Sequence, residues 1–238
     1  MTTTVTQVSI LNALLSRRFD GLLSCRTLAD HGDMGIGTFD RMDGELIMLD
    51  GTIYHGKPGG AVHPAEPDAT VPFATVCRFR AEQSWPLDGP LDYEALDRAI
   101  DARAPNRNVV CAIRVDGQFA SVRTHALQKQ EKPYPPTADV VKGCVRTEFH
   151  DVEGTIVGFR GVPYLRGLND TSYHLHFVSQ DRSRGGHVLD FSLKSGTCAI
   201  GRCTRHVVIL PEDGDFLDGI DMTADLVGAF EHALAERA

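Results

Sequence analysis

Tyr173-His174-Leu175-His176-Phe177 and, shortly after it, Gly185-Gly186-His187-Val188-Leu189-Asp190-Phe191 are the two runs on which the reading of this chain turns. A strand sends successive side chains to opposite faces, so His174 and His176 project from one side, about 7 Å apart. If the second run returns as a hairpin through residues 180–186, a symmetric register sets His187 opposite His176. Directly opposed Cβ atoms stand about 5 Å apart. Three imidazoles then converge on one face, as a tri-histidine metal site with open coordination positions requires. The plain alternative is three unrelated histidines, one bonded in the core and two solvated at a sheet edge; H-x-H alone is a weak motif. A cupin-like barrel also uses H-x-H, but its glutamate three or four residues later is absent, and Ser179 and Gln180 stand there.

Outward from this pair, β-rich runs and turn signals alternate. Ile36–Phe39, Glu45–Leu49 and Thr52–Tyr54 are strands separated by Asp43-Gly44 and Asp50-Gly51, the strongest short hairpin signal. Phe73–Phe79 is a further strand. Val109–Val115 and Gln118–Thr124 read as a hairpin about Asp116-Gly117. Gly154–Phe159, His187–Leu193 and a run near Val207–Leu210 complete the strands. Helical spacing is found at Ile10–Phe19, Ser24–Ala29, Asp92–Ala102 (stopped by Pro105), near Ala138–Cys144 and from Thr223 onward. Glu131-Lys132-Pro133-Tyr134-Pro135-Pro136 cannot be helix or central strand, and it is the candidate boundary between residues 1–130 and 131–238. A faint repeat joins the halves: Thr38-Phe39 then Gly44-Glu45 echoes His176-Phe177 then Gly186-His187. On a duplicated half, Thr38 and Glu45 would take the places of His176 and His187 and face them across a cleft.

Bulk properties narrow the function classes. With 238 residues, 42% hydrophobic and 24% charged, the chain has the make-up of a globular protein with a sizeable core. Its net charge of −8 argues against nucleic acid or an anionic membrane as partner. No apolar run approaches the roughly 20 residues that span a bilayer, and the N-terminus lacks the pattern of a signal peptide. Six scattered cysteines without C-x-x-C read as reduced thiols in a cytoplasmic protein.

The motifs Gly35-Ile36-Gly37-Thr38-Phe39, Asp43–Gly51, Ala112–Gly117, Gln130–Pro136, Gly154–Phe159, Tyr173–Phe177 and Gly185–Phe191 occur in an order and spacing that resembles the alpha-acetolactate decarboxylase family over nearly the whole chain. The resemblance implies an α/β (α+β) fold of two similar mixed-sheet subdomains packed together, with the metal site on the C-terminal one facing the N-terminal one. It implies Zn2+, or another divalent ion that such sites accept, on His174, His176 and His187. It also implies roles for Thr38, Glu45 and a second glutamate near the C-terminus. Helix geometry favours Glu231 for the last, because it borders the apolar stripe of Val227, Phe230 and Leu234, whereas Glu236 lies opposite. A rim glutamate shielding that stripe with its methylenes is the competing reading.

One departure stands out. Relatives usually carry arginine, which helps bind the substrate carboxylate, where this chain has His125. Histidine offers no bidentate fork and is mostly neutral at pH 7. Either His125 serves as the acid, or Arg123 or Arg160 substitutes, or the substrate differs. The activity implied is decarboxylation of 2-acetolactate, a small 2-hydroxy-3-oxo acid, to acetoin and CO2 through a metal-stabilised enediolate. Thr38 would orient the substrate, and Glu45, Glu231 and His125 are the candidate proton carriers. The alternatives are a related metalloenzyme acting on another 2-keto or 3-oxo acid in a biosynthetic pathway, and a non-catalytic metal- or small-molecule-binding homologue. A homodimer is the assembly reached by analogy.

Overall fold

The computed structural model describes residues 3–104, 106–212 and 214–235, so Pro105 and Glu236 lie outside the described residues, as does the side chain of Leu234. The first half of the chain supplies β1 (Thr3–Val8), the short β2 (Leu23–Ser24), β3 (Met34–Thr38), β4 (Glu45–Leu49), β5 (Thr52–Gly56), β6 (Val62–Pro64), β7 (Thr70–Val71), β8 (Phe73–Cys77) and β9 (Gln83–Leu91). Four more strands follow, three of them long: β10 (Val110–Ala126), β11 (Val145–Arg160), β12 (Tyr173–Ser179) and β13 (Gly185–Ile209). The helices are α1 (Leu11–Leu15), α2 (Cys25–Ala29), α3 (Tyr93–Arg103), α4 (Thr137–Lys142) and α5 (Leu226–Ala235). Two of them start on side-chain caps that the sequence supplies. Ser24 Oγ accepts from Thr27 N, and Asp92 Oδ1 accepts from Ala95 N.

Eleven strands join in one mixed sheet, in the order β10-β11-β12-β13-β1-β8-β3-β4-β5-β6 with β9 attached to β13. β10 also pairs with β13, so β10, β11, β12 and β13 close a ring of antiparallel pairings. β1 then runs parallel to the end of β13 and carries the sheet over to β8, β3 and β4. The fold is α+β. Val110–Ala126 precedes the Pro-rich segment in sequence but pairs with β11 and β13, which follow it.

The period-two alternation assigns each face. Leu175 and Phe177 point into a core with Phe119, Phe149, Ile156 and Phe191. Val178, Val157 and Ala112 belong to a second core, shared with Ile36, Ile47 and Leu49 of the first half. His174 and His176 share the face of Val178, so they look toward β3 and β4. Burying Phe177 contributes roughly 1.5–3 kcal/mol, and truncating it to alanine costs about 3–5 kcal/mol once the cavity is counted.

Two expectations are corrected. Val109–Thr124 is not a hairpin, and His187–Leu193 is not separate from Val207–Leu210; each region is one continuous strand. The Asp116-Gly117 pair that reads as a turn is extended, because Gly117 pairs with Gly154 on one side and Gly196 on the other. A Cβ on Gly117 would sit 2.6 Å from the Ser195 carbonyl oxygen. Here glycine serves close approach of strands, not a change of direction. Asp116 is held along the strand by Arg114 Nε at 2.7 Å and Thr155 Oγ1 at 2.8 Å.

Candidate metal centre and its cavity

His176 pairs directly with His187, as the symmetric register requires. Gly185 and Gly186 make that contact. A Cβ on Gly185 would lie 2.2 Å from the Phe177 carbonyl oxygen, and one on Gly186, whose φ is +156°, would lie 2.7 Å from that of His125. No side chain fits there, so the Gly-Gly pair seats β13 between β12 and β10 immediately before the imidazole. Ring centroids of His174, His176 and His187 are 5.1, 4.9 and 5.2 Å apart, and one ligand nitrogen from each lies within 4.8 Å of the others.

The cluster fits a metal ion. Nε2 of His176 and Nε2 of His174 stand 3.2 Å apart. Two nitrogens about 2.0 Å from one tetrahedral ion stand about 3.3 Å apart. His176 Nδ1 lies 2.8 Å from the Leu46 carbonyl oxygen. A carbonyl only accepts, so Nδ1 carries the proton and Nε2 turns its lone pair to the site. Burial pushes all three imidazoles below their ordinary range, His176 and His187 well below it. Neutral imidazole is the form that binds metal.

The β3–β4 hairpin closes the other side. Thr38 pairs directly with Glu45, the same relation that joins His176 to His187. Glu45 is 3% exposed, its Oε1 accepts the Leu127 N–H at 3.0 Å, and its Oε2 lies 3.6 Å from His176 Nε2. Burial pushes the carboxyl up to about 8, against the Leu127 N–H, which pulls it down. The Thr38 hydroxyl donates to the Gly44 carbonyl at 2.7 Å, so it turns lone pairs, not its proton, to the cavity. Gly44 sits at φ +80°, where a Cβ would meet the Gly56 carbonyl oxygen at 2.1 Å.

Thr38, Glu45, His125, His174 and His187 line one cavity of about 810 Å³. Leu11 and Leu14 of α1, Phe73 of β8 and Phe230 of α5 give it an apolar wall. His125 pairs with His187, and their rings stack at 4.4 Å with 14° between planes. Burial, with His174 and Arg146 nearby, pushes His125 down to about 4, so it is neutral near pH 7.

Three other residues singled out in the sequence lie elsewhere. Arg123 shares the face of His125 but is held 2.8 Å from Asp190, outside the cavity. Arg160 is buried beneath α3, where its Nη1 donates to Asp101 at 2.8 Å and its Nη2 to the carbonyls of Ala104 and Asn106. Glu231 is exposed, 3.5 Å from Arg166 Nη2, while its neighbour Phe230 faces the cavity. The structure brings six of the seven sequence-derived site residues together and leaves Glu231 on the outer face. Arg146, which sequence reading missed, lines the cavity beside His125. Only the β10–β11 register shows it.

Comparison with known proteins identifies the family and the fold. The sequence model of the alpha-acetolactate decarboxylase family matches residues 5–221. The chain is 41% identical to the alpha-acetolactate decarboxylase of Methanosarcina mazei, over 88% of this chain and 73% of that one. It is 38% identical to that of Methylococcus capsulatus, over 98% and 87%. The crystal structure of alpha-acetolactate decarboxylase from Bacillus subtilis strain 168 superposes with a TM-score of 0.91 at 33% identity, covering 97% of this chain and 98% of that one. Fold and relatives together define a carboxy-lyase. The chain belongs to the alpha-acetolactate decarboxylase family.

Proposed function

We propose that this chain converts 2-acetolactate to acetoin and CO2, with zinc held by His174, His176 and His187. The observation that carries the reading is a buried carboxyl, Glu45, 3.6 Å from one imidazole of a metal-sized triad at the wall of one cavity. The ion would supply Lewis acidity to the hydroxyl and ketone oxygens of the substrate, an electron sink for the breaking C–C bond. Three neutral ligands add no negative charge that would weaken that sink. The bond pair stays on the carbon that loses CO2, and that carbon then needs one proton. Glu45, raised toward neutrality by burial, is the group placed to deliver it and to be reprotonated from solvent. Thr38 accepts a hydrogen bond from the substrate, since its own proton is engaged with Gly44. Neutral His125 offers a further ring N–H at the same wall. Leu11, Leu14, Phe73 and Phe230 keep the reacting carbon away from bulk water.

Acetoin release from acetolactate, measured with metal analysis on the same sample, tests the reading. Stoichiometric zinc with turnover that is lost on chelation and restored by zinc is the expected result. Turnover that survives complete metal removal, or bound zinc without acetoin, overturns it.

A further inference from the structure

Arg146 at the start of β11 pairs with His125, His125 pairs with His187, and His187 pairs with His176. Directly paired residues project from the same face of a sheet. Arg146, His125, His187 and His176 therefore stand in one row across β11, β10, β13 and β12. Neighbouring strands are about 4.8 Å apart, which sets the Arg146 and His187 backbones about 10 Å apart along that row. A long arginine side chain and a small acid can close such a span between them.

The charge arrangement points the same way. Arg123, Arg160 and Arg166 are each committed to a carboxylate, of Asp190, Asp101 and Asp225 respectively. Lys142, which also lines the cavity, donates to the Ala233 carbonyl. Arg146 lines the cavity with a hydrogen bond to the Cys144 thiol, and among the described residues no carboxylate pairs with it. At the exposed edge of the cavity, Arg146 thus offers a positive charge with no carboxylate partner among the described residues.

We propose that Arg146 binds the substrate carboxylate and so makes the cavity selective for acids. This rests on the decarboxylation reading and adds the pose. The planar fork takes a carboxylate through two parallel hydrogen bonds. With the carboxylate at Arg146, the hydroxyl and ketone oxygens are left facing the three imidazoles, and the reacting carbon lies between, on the side of Glu45. The carboxylate departs as neutral CO2, so the ion pair is strongest in the ground state and fades toward the transition state. Its loss therefore raises KM more than it lowers kcat.

The test compares Arg146→Gln and Arg146→Lys with the parent, all zinc-loaded. For R146Q the KM for acetolactate rises about 10–100-fold, as expected for a lost charge-assisted pair. Its kcat stays within a few-fold, zinc content and Tm are unchanged, and added guanidinium lowers KM again. R146K recovers part of the loss. Calorimetric titration with a vicinal dihydroxy acid and with the matching uncharged diol supplies a readout independent of turnover: R146Q loses affinity for the acid and keeps it for the diol. An unchanged KM in R146Q, or equal weakening of acid and diol, overturns the proposal. A parent protein that makes no acetoin sinks the decarboxylation reading instead, and the acid–diol contrast still judges Arg146.

Discussion

The β3–β4 and β12–β13 hairpins use one backbone device for two chemistries. Each places a polar residue of its first strand directly opposite a second that follows a glycine: Thr38 opposite Glu45 after Gly44, and His176 opposite His187 after Gly186. In the first hairpin the polar atoms are satisfied by the protein itself, through the Gly44 carbonyl and the Leu127 N–H. In the second, the Nε2 of His176 turns a bare lone pair toward the imidazole cluster, 3.2 Å from the Nε2 of His174 on the same strand. A closed pair and an open one therefore confront each other. The lesson is that register alone sets position, while the surrounding donors decide whether a pair waits for a ligand.

Breaking the open pair has the largest expected effect. His187→Ala removes one of three ligands, so metal retention and turnover fall together to background, read by metal analysis and acetoin assay. Substituting the closed pair separates the two roles. Glu45→Gln keeps the metal while turnover drops by about 10²–10⁴, the range for a lost proton carrier; retained turnover would transfer that task to another group. A weaker blow falls on the backbone device. Gly186→Ala must move a strand against the His125 carbonyl, costing roughly 1–3 kcal/mol, seen as a lower Tm and weaker metal binding. The smallest effect is expected outside both hairpins. Glu231→Ala should change stability by less than about 0.5 kcal/mol and leave turnover within about two-fold, because the side chain pairs with Arg166 at the surface. A collapse of turnover in that variant would mean that α5 turns Glu231 into the cavity during the reaction.

Local pattern made both hairpins legible. Alternation placed His174 and His176 on one face, and Gly185-Gly186 and Asp43-Gly44 marked the reversals. The long strands were not legible, because Gly117 and Gly196 look like breaks in a single sequence and serve as close-packing points where β10 and β13 meet. β9 was hidden by Pro86 and Pro90, which an edge strand tolerates. Arg146 stayed invisible for a related reason. Its partner His125 lies far away in sequence, and only their long-range register brings the two to one wall. Glu231 shows the reverse failure: its place beside the apolar stripe was legible, but a residue at the border of a stripe can turn either way, and Arg166 draws it outward.

Anomalous diffraction at the zinc edge, from crystals grown with zinc, tests the central claim most directly. The account predicts one strong peak about 2.0–2.1 Å from a nitrogen each of His174, His176 and His187, on the side facing Glu45. Imidazoles turned apart with no peak among them, or zinc bound at a different set of side chains, would contradict it.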